Sequence, residues 1–343
     1  RLCALILLNA EKISKGYSDR QLLDGCSLAV GQGDKIGLIG VNGTGKSTLL
    51  KVMAGVDFPD SGTVTRSGGV RVAYLPQNPE FAPETTVLQQ VMTGVAIDKA
   101  RAKEAKVMQQ ADEYQCKSIL TQLGLSDYDQ PIGQLSGGQK RRVALACALA
   151  AESEVLILDE PTNHIDSEMV DWLESYLKRY QGAILMVTHD RYFLERVVNR
   201  IVELDRGKLY SYPANYSQYL ELKAQREEMA LATERKRQSL YRKELAWIQR
   251  GARARSTKAQ FRVNRFEELK KPGYVPDQSK LEVSALSSRL GKKIIEIEQI
   301  SKSFDGKVLV KDFSYNLLRG DRVGIIGPNG YGKTTLVRMI CGL

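Results

Sequence analysis

The residues GVNGTGKST at 40–48 return as GPNGYGKTT at 327–335, 287 positions further along the chain. A glycine-rich turn that ends in Lys and then Ser or Thr is built to hold a chain of phosphates. Glycines let successive backbone N–H groups curl around the anion, the Lys ammonium reaches the β and γ phosphates, and the hydroxyl beside it ligates Mg2+. In the first copy these residues are Gly40, Asn42, Gly43, Thr44, Gly45, Lys46, Ser47 and Thr48. In the second they are Gly327, Asn329, Gly330, Gly332, Lys333, Thr334 and Thr335, with Lys333 and Thr334 in the roles of Lys46 and Ser47.

Two further strings carry chemistry. VLILDE at 155–160 is an all-apolar run ending in two carboxylates, as expected of a buried parallel strand that delivers acids to its C-terminal edge. At such an edge Asp159 would hold Mg2+ through water and Glu160 would polarise an attacking water. LSGGQ at 135–139 precedes KRRVALACALA, a good helix former, so Ser136, Gly137 and Gly138, with Gln139 closing the motif, stand at a helix N-terminus. The free N–H groups and dipole there suit a phosphate.

The elements that must position these groups follow from the repeat. GLIG at 37–40 predicts a strand running into the phosphate turn, with a helix after it. The match extends upstream at the same offset: EKISKGY (11–17) aligns with EQISKSF (298–304), and GDKIGLIG (33–40) with GDRVGIIG (320–327). A repeat of that length is a duplicated domain. The second copy has only eight residues after Thr335, so the chain reads as a fragment of a longer one.

Composition sets the class. With 43% apolar and 26% charged residues, 343 residues suit two or three folded domains. The apolar run at 2–8 reads as a strand and is far short of the roughly 20 residues a membrane helix needs. Cys3, Cys26, Cys116, Cys147 and Cys341 are scattered and odd in number, which argues against a disulfide framework or zinc site and for a reducing cytoplasm. The net charge of +10 is concentrated: residues 222–271 hold 15 Lys and Arg against 6 Asp and Glu. Such concentration points to a polyanionic partner, nucleic acid ahead of membrane.

Residues 216–248 are almost free of Gly and Pro, which predicts one long helix. The string RGARARSTKAQ breaks it at Gly251, and a second helical stretch at 261–271 ends at Pro272, together a helical hairpin. Trp247, Ile248, Phe261 and Phe266 are placed to form its apolar seam. Arg250, Arg253, Arg255, Lys258, Arg262 and Arg265 crowd its tip with no acid between them. Repulsion among these cations favours a phosphate backbone as their neighbour.

Set between the phosphate loop and the DE pair, LSGGQ resembles the signature of the ATP-binding cassette (ABC) family. That resemblance implies ATP and Mg2+ as ligands and assigns further residues. Tyr17 and Phe304, each 23 residues before the first glycine of its loop, would stack on adenine. Gln77 in YLPQ would touch Mg2+ and sense the γ-phosphate. His189 in MVTHD would contact the γ-phosphate, and Asp166 would communicate across a cassette interface. Members of the family clamp ATP between the phosphate loop of one cassette and the signature of another. Neither such site is complete within 343 residues, so the expectation is a chain that binds ATP but turns it over weakly alone, or pairs its first cassettes between molecules.

The string LDEPTNHID, two cassettes on one chain, no membrane segment and a basic helical linker together resemble the ABC-F family. DRGKLYSYPANYSQYLELKAQR and ELAWIQRGARARSTK are closest to its Uup-like branch. The implied fold is α/β: a P-loop NTPase of ABC type at 1–213, with a mixed core sheet, an antiparallel β subdomain and a helical signature subdomain at about 80–150. A basic helical hairpin linker would follow at 214–285, then the start of a second cassette at 286–343. The implied partner is the ribosome, its rRNA and tRNA met by the linker. Ile165 stands where the family usually has Leu, a volume-conserving change expected to be silent. An ABC transporter ATPase, a DNA-repair ATPase and a non-catalytic RNA-binding scaffold are the rival readings. Among ABC-F roles, rescue of stalled translation, ribosome assembly and antibiotic protection stay open.

Overall fold

The computed structural model describes residues 5–17, 20–94, 113–163, 165–249, 264, 266–267, 269–270, 293–304, 307–318, 321–327 and 331–342. By its contacts the chain divides into one unit of residues 1–213 with 286–343 and another of 214–285.

In the first unit two long strands, β1 (Ile6–Tyr17) and β2 (Arg20–Gly31), pair antiparallel, and β4 (Ser61–Arg66) joins the other side of β1. Of the strand expected at 2–8, Ile6, Leu7 and Leu8 open β1, and residues 2–4 lie outside the described residues. A second sheet has the order β5 (Val72–Leu75), β6 (Val155–Asp159), β7 (Ala183–Val187), β3 (Lys35–Ile39), β8 (Arg200–Asp205), β9 (Lys208–Tyr212). Its strands are parallel except β9, which turns back against β8. Every residue of VLILD and AILMV is buried, as a strand covered on both faces requires.

Helix α1 (Lys46–Ala54) follows the first phosphate loop and shares one apolar core with both sheets, Leu49, Leu50 and Met53 packing with Leu8, Ile13, Leu38 and Ile157. Between β5 and β6 the described residues hold α2 (Val87–Thr93), α3 (Glu113–Gln122) and α4 (Gly137–Ala150). Thr86 with Gln89 and Ser136 with Gln139 form capping boxes that start α2 and α4. Helices α5 (Ser167–Arg179) and α6 (Arg191–Val197) start on Asp166 and Asp190, whose carboxylates accept from the amides of Met169 and Phe193. The repeat's second copy contributes an antiparallel pair, β10 (Lys293–Phe304) and β11 (Lys307–Leu318), and α8 (Lys333–Ile340).

The second unit holds α7 (Tyr216–Gln249), 34 residues and about 50 Å long at 1.5 Å per residue. Within it Tyr241 stacks on Phe266 with ring centroids 5.1 Å apart. Arg237 grips Glu234 through two nitrogens, at 2.7 and 2.8 Å, and also donates to the Leu269 carbonyl. Phe266, expected in an apolar seam, is thus packed on Tyr241. Phe261 and the side chains of Trp247 and Ile248 lie outside the described residues, as do all six tip cations, Arg250, Arg253, Arg255, Lys258, Arg262 and Arg265.

Candidate functional site

Strand order explains why distant motifs meet. β6, β7 and β3 are adjacent and parallel, so the DE pair, the THD string and the first phosphate loop all leave the sheet at its C-terminal edge. The loop itself is shaped by close approach. A Cβ on Gly40 would lie 2.5 Å from the Leu204 carbonyl oxygen, and Gly45, at φ +103°, has Leu22 Cβ 2.9 Å from where its own would stand. Only glycine fits such positions.

Lys46 opens α1, and its Nζ donates to the carbonyls of Gly40 at 2.8 Å and Val41 at 3.1 Å. The Thr44 hydroxyl donates to the same Val41 carbonyl at 2.8 Å. Burial pulls the Lys46 ammonium below its ordinary range, opposed by the charges of Glu160 and Asp159. Gly43 is approached by Arg20, whose guanidinium is 3.9 Å from the position a Cβ would take.

Asp159 and Glu160 are both buried. Burial pushes both carboxyls above their ordinary range; the Ser47 hydroxyl bond and nearby cations oppose it at Asp159, and His189 opposes it at Glu160. One oxygen of each, Asp159 Oδ1 and Glu160 Oε2, is buried without a hydrogen-bond partner. Such oxygens are costly unless a cation meets them. Among the described residues no three His, Cys, Asp or Glu side chains cluster as a metal cage. A hydroxyl, a carboxylate oxygen and substrate phosphates form the hard oxygen set that Mg2+ takes, so Ser47 and Asp159 fit that ion.

Glu160 occupies φ +56°, a region bulky side chains avoid, and its amide donates to the Val187 carbonyl at 2.8 Å. That turn aims the carboxylate at His189, whose Nε2 is 3.3 Å from Oε1, while the imidazole remains 66% exposed. A hydroxyl contact of 2.8 Å between Thr162 and Thr188 ties the two loops together.

Gln77 is exposed on the loop after β5, and its carbonyl accepts from Arg141 Nη2 at 2.6 Å. At the start of α4 the Ser136 hydroxyl accepts from the Gln139 amide, and the Gln139 side chain returns a bond to the Ser136 amide. The capping role and the expected phosphate role thus share the same residues, with Gly137 open to its surroundings. Asp166 caps α5, and its charge is felt by the half-buried Arg142. The Tyr17 hydroxyl donates to Asp57 at 2.6 Å, Lys15 stands 5.5 Å from the ring centroid, and the same Lys15 bridges Asp57 and Asp60.

In the second copy Gly332 has φ +87° with Leu309 Cβ 3.0 Å from a built Cβ, the counterpart of Gly45 and Leu22. Lys333 Nζ donates to the Gly327 carbonyl as Lys46 does to Gly40. Lys302 stands 5.8 Å from the centroid of the exposed Phe304 ring. Thr334 and Thr335 lie on the first turn of α8, and Asn329 and Gly330 fall outside the described residues.

A family model described as "ABC transporter" matches residues 23–163 and 310–343, just over half of the chain, so both phosphate loops fall on one profile. The chain belongs to the ABC transporter family of ATP-binding cassette proteins. A second model with the same description covers 202–283, which includes the long helix. The cassette protein is 43% identical over 373 aligned positions to the uncharacterized ABC transporter ATP-binding protein YfmR of Bacillus subtilis, covering 98% of this chain and 58% of the relative. It is 38% identical to the energy-dependent translational throttle protein EttA of Mycobacterium tuberculosis (99% and 66%) and of Escherichia coli K12 (94% and 64%). The chain therefore spans 58–66% of the length of these relatives. Among solved structures it resembles the ATP-binding subunit of an ABC transporter at TM-score 0.52 and 24% identity, covering 63% of this chain and 99% of that one. It also resembles a dimeric post-hydrolysis cassette bound to ADP and Pi at TM-score 0.51 and 21% identity, covering 60% and 98%. These establish the α/β cassette fold.

Arg141, Thr162 with Thr188, Arg20 and Asp57 were not singled out in the sequence. Arg141 sits in the helix-forming string after LSGGQ, and nothing local distinguishes it from Lys140. Its partner is 64 residues away, a contact only the folded sheet and helix create.

Proposed function

We propose that this chain is part of an ABC-F type ATPase, nearest the Uup-like branch, whose two cassettes bind and hydrolyse ATP between them and thereby gate binding of a basic linker to ribosomal RNA and tRNA. The observation that carries the proposal is the reach of the similarity. Relatives named translational throttle proteins match at 38–40% identity along 94–99% of this chain, linker included. The charge excess at 222–271 supports a polyanionic partner. Among the described residues no helix is long and apolar enough to cross a membrane.

In this reading the domains are the cassette at 1–213, the linker at 214–285 and the opening of a second cassette at 286–343. Backbone amides from Gly40 to Ser47 and the Lys46 ammonium bind the phosphates, and Tyr17 supports the adenine. Mg2+, when bound by Ser47, Gln77 and Asp159, neutralises charge on the phosphates. Glu160, kept in place by its backbone turn and by His189, takes the proton of the attacking water. Ser136, Gly137, Gly138 and Gln139 face the nucleotide held by Phe304, Gly327, Asn329, Gly330, Gly332, Lys333, Thr334 and Thr335. Asp166 lies at the cassette interface.

The test is co-sedimentation of the full-length protein with ribosomes, with and without ATP. Glu160→Gln is expected to stay ribosome-bound in ATP, whereas Arg253, Arg255 and Lys258 changed together to Ala should lose binding. A triple variant that sediments and restores function like wild type refutes the linker role. Co-purification with an integral membrane partner instead would favour the transporter reading.

A further inference from the structure

We infer that Arg141 is a positioning residue that ties the start of α4 to the Gln77 loop, so that the signature turn and the Mg2+ end of the nucleotide site move as one piece. The inference rests on the nucleotide reading above for its purpose, but on contacts within the first cassette for its existence. Arg141 lies about one turn into α4, whose first residues are fixed by the Ser136–Gln139 capping box. From there its Nη2 donates to the Gln77 carbonyl at 2.6 Å, the short distance of a charge-assisted bond. The bond takes the main-chain carbonyl of Gln77 and leaves its side-chain amide to face a ligand.

The surroundings make this more than a surface contact. Gln77, Arg141, Asp159, Glu160 and Asn163 line one small cleft, so the guanidinium sits where the loop, the signature helix and both carboxylates meet. Burial is the first cause of the raised Asp159 carboxyl, and Arg141 is among the cations that oppose it. The two neighbouring cations do not duplicate the role. Arg142 donates to the Leu123 carbonyl at 2.8 Å and is half-buried away from the loop, while Lys140 cannot present a planar fork. In the tandem arrangement proposed above, α4 begins at one nucleotide and Gln77 belongs to the other. A shift of α4 on engaging a phosphate is then passed through Arg141 to the loop that meets Mg2+.

Amide exchange at Leu75, Gln77 and Asn78, the residues of 75–79 that carry an amide hydrogen, measured in full-length protein without nucleotide, reads the tether directly. In Arg141→Met, exchange there should quicken roughly tenfold, the loss of one charged hydrogen bond, while β6 and β7 stay protected. ATP turnover should need about tenfold more Mg2+, with mant-ATP binding in EDTA unchanged because the phosphate loop and Lys46 supply it. Wild-type exchange at 75–79 overturns the inference, as does a wild-type Mg2+ requirement. If Arg141→Met does not fold, Arg141→Lys decides: intermediate exchange supports the tether, and wild-type exchange refutes it. Faster exchange in a protein whose wild type never hydrolyses ATP would sink the functional reading and leave the tether standing.

Discussion

Residues 35–39 and 322–326 carry nearly the same string, KIGLI and RVGII, yet only the first is a strand. β3 lies between β7 and β8 and exchanges hydrogen bonds with both, and its Leu38 is fully buried. The counterpart Ile325 is 41% exposed and Ile326 is 96% exposed, and no described strand pairs with that segment. The phosphate turns that follow are nonetheless alike: Gly45 and Gly332 share positive φ and the same Leu neighbour, and each Lys donates to the first glycine's carbonyl. A turn is written in local residue types, whereas a strand is a contract with its neighbours.

The comparison can be broken or sharpened at matched positions, beginning with the largest effect. Chemistry in the first copy depends on Glu160, so Glu160→Gln in full-length protein should lower steady-state ATP turnover by on the order of 10²–10³-fold, with nucleotide affinity kept. Phosphate release assays check this; turnover within a factor of two of wild type would remove Glu160 from the mechanism. Leu38→Ala should cost about 3 kcal/mol in denaturant unfolding, against less than about 1 kcal/mol for Ile325→Ala in this chain. Equal losses would mean that the two strings are equally packed.

Gly40→Ala and Gly327→Ala isolate the effect of a neighbour, because the two backbones have the same φ, +156° and +155°. Only Gly40 has an atom within 4 Å of the new methyl. Thermal unfolding should show about 2 kcal/mol lost for Gly40→Ala and about 1 kcal/mol or less for Gly327→Ala. The smallest effect concerns the adenine-side rings. Tyr17 has the hydroxyl that Phe304 lacks, and burial at Asp57 is outweighed by bonds from Tyr17, Lys15 and the Phe58 amide, holding that carboxyl below its usual range.

The folded pKa of Asp57 is depressed, so its stabilisation is present above the unfolded value near 4 and disappears as pH falls through the folded one. Tyr17→Phe should therefore cost about 0.5 kcal/mol at pH 7 and nothing at a pH acid enough to lie below the folded value of Asp57. Unfolding curves at the two pH values test this, and a loss that persists in acid would assign it to ring packing instead.

Much of the site was legible because it is made of short strings. Asp159, Glu160 and His189 follow apolar runs, and Lys46 and Ser47 follow a glycine-rich turn that itself follows one, so buried parallel strands deliver all five to one edge. The long helix was legible for a different reason: the sequence offers almost no residue that would stop it, and the described helix covers the whole of the expected 216–248. Less legible were Tyr241 opposite Phe266, Asp57 beneath the Tyr17 hydroxyl and Arg141 on Gln77. Each pairs residues of ordinary type across a gap in sequence, and no periodicity marks which of many similar side chains will meet.

What the sequence by itself determined is the chemistry and the turns: glycines where a Cβ cannot fit, Lys and hydroxyl beside them, acids after an apolar run, and cations gathered in one segment. Those properties are local, set by side-chain type and backbone freedom. Only the tertiary structure decided which copy of a repeated string becomes a strand, that Asp159 and Glu160 hold buried oxygens without partners, and that α4 is tied to the Gln77 loop. Burial and pairing depend on which neighbours are present: β7 and β8 flank the first of the two similar strings, and no described strand flanks the second.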